Sequence, residues 1–198
     1  MPAGWGQLLN WGGPWQSSAA GTALTTAVTA TISPQATGPK DFSIPTSYLY
    51  QNATLRVTAN GILTTTATST TATIFLGAGS APTNILTAPG ITTGTTVITG
   101  IPWWWTSWHT IINVATSGNV INSWGWLELG NSGAALIANP VALTATPGMT
   151  LPCPPSGGQT TGSGPDTTVA LPIMLRGTLA GANATIQCQN FLVEHLYG

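Results

Sequence analysis

The chain has 198 residues, enough for one well-buried domain with or without an arm. Only 4% of them are charged, against about a quarter in an ordinary globular chain, and the formal net charge is −1. That balance excludes a disordered polyelectrolyte and a basic footprint for nucleic acid, and it provides neither electrostatic steering nor colloidal repulsion. Thr, Ser, Asn and Gln must therefore wet the surface, which suits a chain packed against copies of itself or against a larger assembly.

Residues 1–20 form an irregular arm. Trp5, Trp11 and Trp15 are interleaved with Gly4, Gly6, Gly12, Gly13 and Pro14, which favour neither helix nor strand, and Leu8 and Leu9 lie between them. The stretch has neither the cationic start nor the continuous apolar run of a secretory signal, and no run in the chain approaches the roughly 18 apolar residues of a membrane span. Each indole would gain about 150–250 Å² of burial that the arm cannot supply by itself. The arm either folds back or docks on a partner. Docking is the reading adopted, with Trp5, Leu8, Leu9, Trp11 and Trp15 as anchors.

From residue 21 the pattern turns to strands. Val28, Ala30 and Ile32 alternate with Thr29 and Thr31, the period of a half-buried strand, until the 34–39 stretch bounded by prolines breaks it. Residues 53–65 repeat the pattern with Leu55, Val57 and Ala59, and Asn60-Gly61 predicts a bulge or turn. Residues 71–77 make a third strand, with Ile74 and Leu76 on one face and Phe75 on the other. Residues 85–101 predict one or two short strands around Pro89-Gly90 and Thr93-Gly94.

The segment IPWWWTSWHTIINVAT puts Trp104, Trp108, Ile112 and Val114 on one face and Trp103, Trp105, His109 and Ile111 on the other. Both faces are largely apolar, which predicts burial by the core on one side and by a neighbour on the other. Ser117-Gly118-Asn119 turns the chain into residues 120–129, where Trp124, Trp126 and Glu128 share a face. The expectation is a tryptophan-lined hairpin held by cross-strand aromatic pairs, with Trp103, Trp104, Trp105, Trp108, Trp124 and Trp126 as a subunit interface.

Residues 130–165 read as one long Pro/Gly-rich surface loop around a short strand near 140–145. In the tail 166–198, an apolar run, a Gly/Asn connection (Gly177, Gly181, Asn183) and a final strand rich in Phe191, Leu192, Val193 and Leu196 read as a hairpin at the centre of the sheet. With no helical period anywhere, the fold expected is all-β: a jelly-roll-like β-sandwich over residues 21–198 carrying the tryptophan-rich N-terminal arm.

Chemistry has little to stand on. His109 and His195 lack ligand-type neighbours at metal spacing, and each reads as a surface or core-edge residue. Glu194 and His195 are consecutive and point to opposite faces. Asp41, Glu128, Asp166 and Glu194 could supply a glycosidase pair only by accident of folding. No GxSxG occurs, and neither Cys153 nor Cys188 has a histidine near it in sequence. The two cysteines could pair, although one lies in a Pro-rich loop and the other in a strand. No catalytic residue, metal ligand or cofactor is assigned. A sugar-binding module remains open, because the WWW and WGW stretches could form an aromatic platform.

The order of LRVTANGILTTTATSTTATIFLGAG, ITTGTTVITGIPWW and DTTVALPIMLRGTLAGANATIQCQNFLVEHLYG, set in a low-charge Thr/Gly/Ala texture, resembles structural proteins of tailed phages infecting actinobacteria. The likeness spans roughly residues 53–198, and WWWTSW is heavier in tryptophan than that pattern. The resemblance implies a virion component without enzymatic activity, located on the particle exterior after assembly in the host cytoplasm. On this basis the expectation is a head decoration (cement) protein, a homotrimer bound to the major capsid protein or other virion proteins, with no nucleic-acid or membrane partner. A minor tail or baseplate protein, or a carbohydrate-binding sandwich for host adhesion, is the alternative.

Overall fold

The computed structural model describes residues 15–17, 20–34, 42–95, 97–118, 120–130, 136–138, 141–142, 149–153 and 164–196. Two antiparallel sheets enclose one hydrophobic core, so the fold is an all-β sandwich. The first sheet runs β1 (Trp15–Ser17), β14 (Ala184–Leu196), β4 (Thr54–Thr65), β8 (Ile98–Ile111), β9 (Ile121–Leu129) and β12 (Met149–Cys153). The second runs β11 (Val141–Ala142), β10 (Leu136–Ala138), β7 (Ile91–Thr93), β5 (Thr71–Ala78), β13 (Leu171–Leu179) and β2 (Thr29–Thr31). Two short strands attach to it, β6 (Thr83–Thr87) on β5 and β3 (Ser43–Ile44) on β13.

Thr-apolar alternation is what builds the sheets. Along β4 every second residue is buried, with Leu55, Val57, Ala59 and Leu63 turned into the core and Thr54, Thr58 and Thr64 turned out. The strand expected from Val28 to Ile32 is shorter than its pattern. Only Thr29–Thr31 pair, and Val28 is exposed.

The C-terminal hairpin expected from the tail is not a hairpin. β13 pairs with β5 in the second sheet, whereas β14 pairs with β4 in the first. Turn residues such as Gly181 and Asn183 serve a sheet-to-sheet crossing as well as a hairpin, so local chemistry cannot separate the two. Here the crossing lies beside the equivalent β4-to-β5 crossing, and Thr66 N and Oγ1 both donate to the Asn183 carbonyl at 3.0 Å. The last strand is nonetheless central to the fold, as its apolar end requires. The segment after β1 follows its other side, with Gly21 N donating to Cys188 O and Leu24 bridged to Ile186.

The bulge expected at Asn60-Gly61 lies on the partner strand. Register shifts between Cys188 and Asn190, opposite Gly61 and Asn60. Across this bulge the buried positions of β14 switch from even (Ile186, Cys188) to odd (Phe191, Val193), which leaves Leu192 on the outer face. Gly61 has a different role. A Cβ there would collide with the Trp103 indole and the Gln187 carbonyl, so the glycine makes room for the largest core side chain.

Candidate functional site

The predicted β8–β9 hairpin forms, with Ile111 opposite Ile121 and Trp103 opposite Leu129. Its two faces have different fates. On the inner face Trp103 and Trp105 are completely buried in the core. They are therefore no part of a subunit interface, which corrects that assignment. A largely apolar strand face needs only one partner, and the second sheet is that partner. On the outer face Trp104 is 44% and Trp124 52% exposed, with Trp108 and Trp126 half-buried beside them.

Strand registers turn the outer face of the first sheet into a grid. One row reads Asn190, Asn60, Trp104, Glu128 and Thr150, and the next reads Leu192, Thr58, Thr106, Trp126 and Pro152. A third reads Glu194, Arg56, Trp108 and Trp124. Trp108 and Trp124 are thus direct cross-strand neighbours, and their rings stack at 4.1 Å between centroids and 9° between planes. Trp126 tilts at 45° against both, 5.1 Å from Trp108 and 6.0 Å from Trp124. In the same row Arg56 donates to the Glu194 carboxylate from Nε at 2.7 Å and Nη2 at 2.6 Å. The pair neutralises itself at the border of the aromatic surface. Trp104 makes no ring contact among the described residues and faces a hollow floored by Thr58 and Thr106.

Of the arm, Trp5, Leu8, Leu9 and Trp11 lie outside the described residues. Trp15 opens β1, where its backbone is registered with Val193.

His109 is a fully buried core residue, and the expectation of a surface or core-edge position fails. Its Nε2 lies 2.7 Å from Ser107 Oγ and its Nδ1 2.7 Å from Ser123 Oγ. The Trp105 indole also donates to Ser107 Oγ at 2.7 Å. Since an indole can only donate, these contacts are satisfied by a chain that runs from Trp105 N–H to Ser107, from Ser107 O–H to His109 Nε2, and from His109 Nδ1–H to Ser123. The network is neutral. Burial pushes the imidazole down from 6.5 to about 3, so it stays uncharged at physiological pH. His195 packs between Tyr48 and Tyr50, at 5.7 and 5.6 Å between ring centroids. Sequence inspection missed this network because its serines sit on two strands and point inward only once the sandwich closes.

The carboxylates do not converge. Glu194 and Glu128 lie on β14 and β9, three strand spacings apart, or about 14 Å. That exceeds the roughly 5–9.5 Å that glycosidic hydrolysis needs between its two carboxyl groups. Asp166 Oδ1 accepts from the backbone N and hydroxyl of Thr168, closing a local turn. Asp41 lies outside the described residues. Among the described residues no group of three or more His, Cys, Asp and Glu side chains could hold a metal ion, and no helix is long and apolar enough to cross a membrane. Cys153 and Cys188 are free and buried, on β12 and β14. Four strand spacings, about 19 Å, separate those strands, which rules out the bridge that the sequence left open.

No protein-family model matches the chain, and no curated protein matches it. Among solved structures it is similar to the CBM2 module of the evolved Dit of Lactobacillus casei BL23 phage J-1, at 9% identity and TM-score 0.29, covering 76% of this chain and 66% of that one. The chain thus spans just under two thirds of that module. A legume lectin-like domain from Entamoeba histolytica follows at 8% identity and TM-score 0.29, covering 92% of this chain and 90% of the other. An alginate lyase from Klebsiella pneumoniae matches at 8% identity and TM-score 0.24, covering 74% and 60%. At TM-scores this low, none of the three carries an argument.

Proposed function

We propose that this chain is a structural protein of a phage particle, a decoration protein that binds the head shell as a homotrimer and performs no catalysis. The observation that supports it is the contiguous indole surface of Trp108, Trp124 and Trp126 on an open sheet face, in a chain with 4% charged residues. Leaving a half-exposed indole in water forgoes on the order of 2 kcal/mol of burial. Few charges stand nearby to keep copies apart, so association along this face is the favoured outcome. Contact between copies is assigned to Trp108, Trp124 and Trp126, and shell contact to the arm residues Trp5, Leu8, Leu9 and Trp11. The arm joins the sandwich at β1, whose pairing with β14 gives the shell-binding segment a firm attachment.

Copy number tests the reading. Particles are separated into heads and tails, and the chain is quantified in each by mass spectrometry. Hundreds of copies per head are expected, and removal of residues 1–14 should abolish head binding while leaving the trimer. A handful of copies confined to tails would replace the cement role with a tail or baseplate role, and absence from both would overturn the virion reading.

A further inference from the structure

We infer that the hollow beside Trp104 on the outer face of the first sheet is a binding site for a neutral pyranose ring of a glycan. The hollow follows from the grid of side chains. Thr58 and Thr106 are small and adjacent in one row, and they are flanked by Leu192 on β14. Asn60, Asn190 and Trp104 close it from the neighbouring row. Small residues ringed by large ones leave a cavity of about 290 Å³. That is just below the range for drug-sized ligand pockets, about 300–1,000 Å³, and fits one ring with its neighbours lying along the surface.

The chemistry of the lining selects the ligand. Trp104 is 44% exposed and, unlike Trp108, Trp124 and Trp126, stacks on no other ring among the described residues, so an indole face is free to pack against the C–H face of a sugar. Asn190 Nδ2 donates to Asn60 Oδ1 at 3.0 Å, which fixes both amides and commits one atom of each. Asn60 Nδ2 then remains as a donor and Asn190 Oδ1 as an acceptor, a pairing matched to adjacent hydroxyls that each donate and accept. The Thr58 and Thr106 hydroxyls add further donors and acceptors. No ionisable side chain lines the cavity, and the nearest cation, Arg56, is held by Glu194, so neither a phosphate nor a carboxylate finds a counter-charge. A peptide adding as a strand finds no free edge, because β14, β4 and β8 are each paired on both sides.

This site lies on the β14–β4 side of the face, beside the stacked tryptophans assigned to contact between copies, and its existence does not depend on the shell-binding reading. The test uses the full chain titrated with the methyl pyranosides of glucose, galactose, mannose and N-acetylglucosamine and their short oligomers, followed by tryptophan fluorescence and saturation-transfer NMR. At least one sugar is expected to saturate in the millimolar range or tighter. Trp104→Ala should weaken it about tenfold or more, and Thr58→Phe, which fills the hollow, should abolish it. Val169→Ala, an exposed position just before β13 of the other sheet, should leave it unchanged. Asn190→Ala, at an exposed bulge position, provides a second loss-of-binding variant if Trp104→Ala misfolds. Saturation by none of these sugars, or binding that persists in both Thr58→Phe and Asn190→Ala, overturns the assignment, and neither result alters the count of copies per head.

Discussion

His109 shows how much a single side chain can decide. Its imidazole is neutral in the folded chain, where burial holds it near 3, and titrates around 6.5 once unfolded. Between those values the unfolded state binds a proton that the folded state refuses. Stability is therefore fully present above about 6.5 and is lost as pH falls toward about 3, at a slope of up to about 1.4 kcal/mol per pH unit. Burial also lowers His195, opposed by its hydrogen bond to the Tyr48 backbone, so it acts in the same direction. Urea midpoints measured from pH 7.5 to 4 should fall steadily. In His109→Gln the midpoint should be lower at pH 7.5 but should change less across that range. An equally steep profile in the variant would assign the acid sensitivity to other groups.

At the scale of elements, the β8–β9 hairpin is held outside by its tryptophan stack and inside by the core. Trp108 and Trp124 face each other across the strands at 4.1 Å, close enough for their transitions to couple. Trp124→Ala should weaken the exciton couplet in the far-ultraviolet circular dichroism, leaving the contribution of the Trp108–Trp126 pair. It should lower stability by only about 0.5–1.5 kcal/mol, because Trp124 is half exposed. Trp105→Ala removes a fully buried ring and should cost about 3–5 kcal/mol. Equal losses from the two substitutions would contradict the assignment of faces. The hairpin itself was legible in the order of residues, since Ser117-Gly118-Asn119 separates two alternating runs. Which face was core was not, because both faces carry indoles.

For the whole molecule, the distribution of thiols reports on the sandwich as a unit. Cys153 and Cys188 belong to strands far apart in one sheet, and burial pushes both up to about 12. The native chain should resist iodoacetamide at both thiols, and both should react once it is denatured. Reductant should leave its melting temperature unchanged. Rapid native labelling at either position would mean that the edge of the sandwich opens locally.

Some of this protein is contained in its sequence alone. Period-two alternation of threonine with aliphatic residues dictates strands, and Ser117-Gly118-Asn119 between two such runs dictates the β8–β9 hairpin. Both are local consequences, the first of a pleated backbone that must bury one face and the second of turn residues that tolerate a reversal. Tertiary structure alone decides that the tail crosses between sheets, that Trp103 and Trp105 are core while Trp104 and Trp124 are surface, and that Asn60 and Asn190 meet across strands 130 positions apart. Those outcomes depend on which strand lies beside or above which, and that is set by the packing of the whole apolar surface, to which no short stretch of sequence has access.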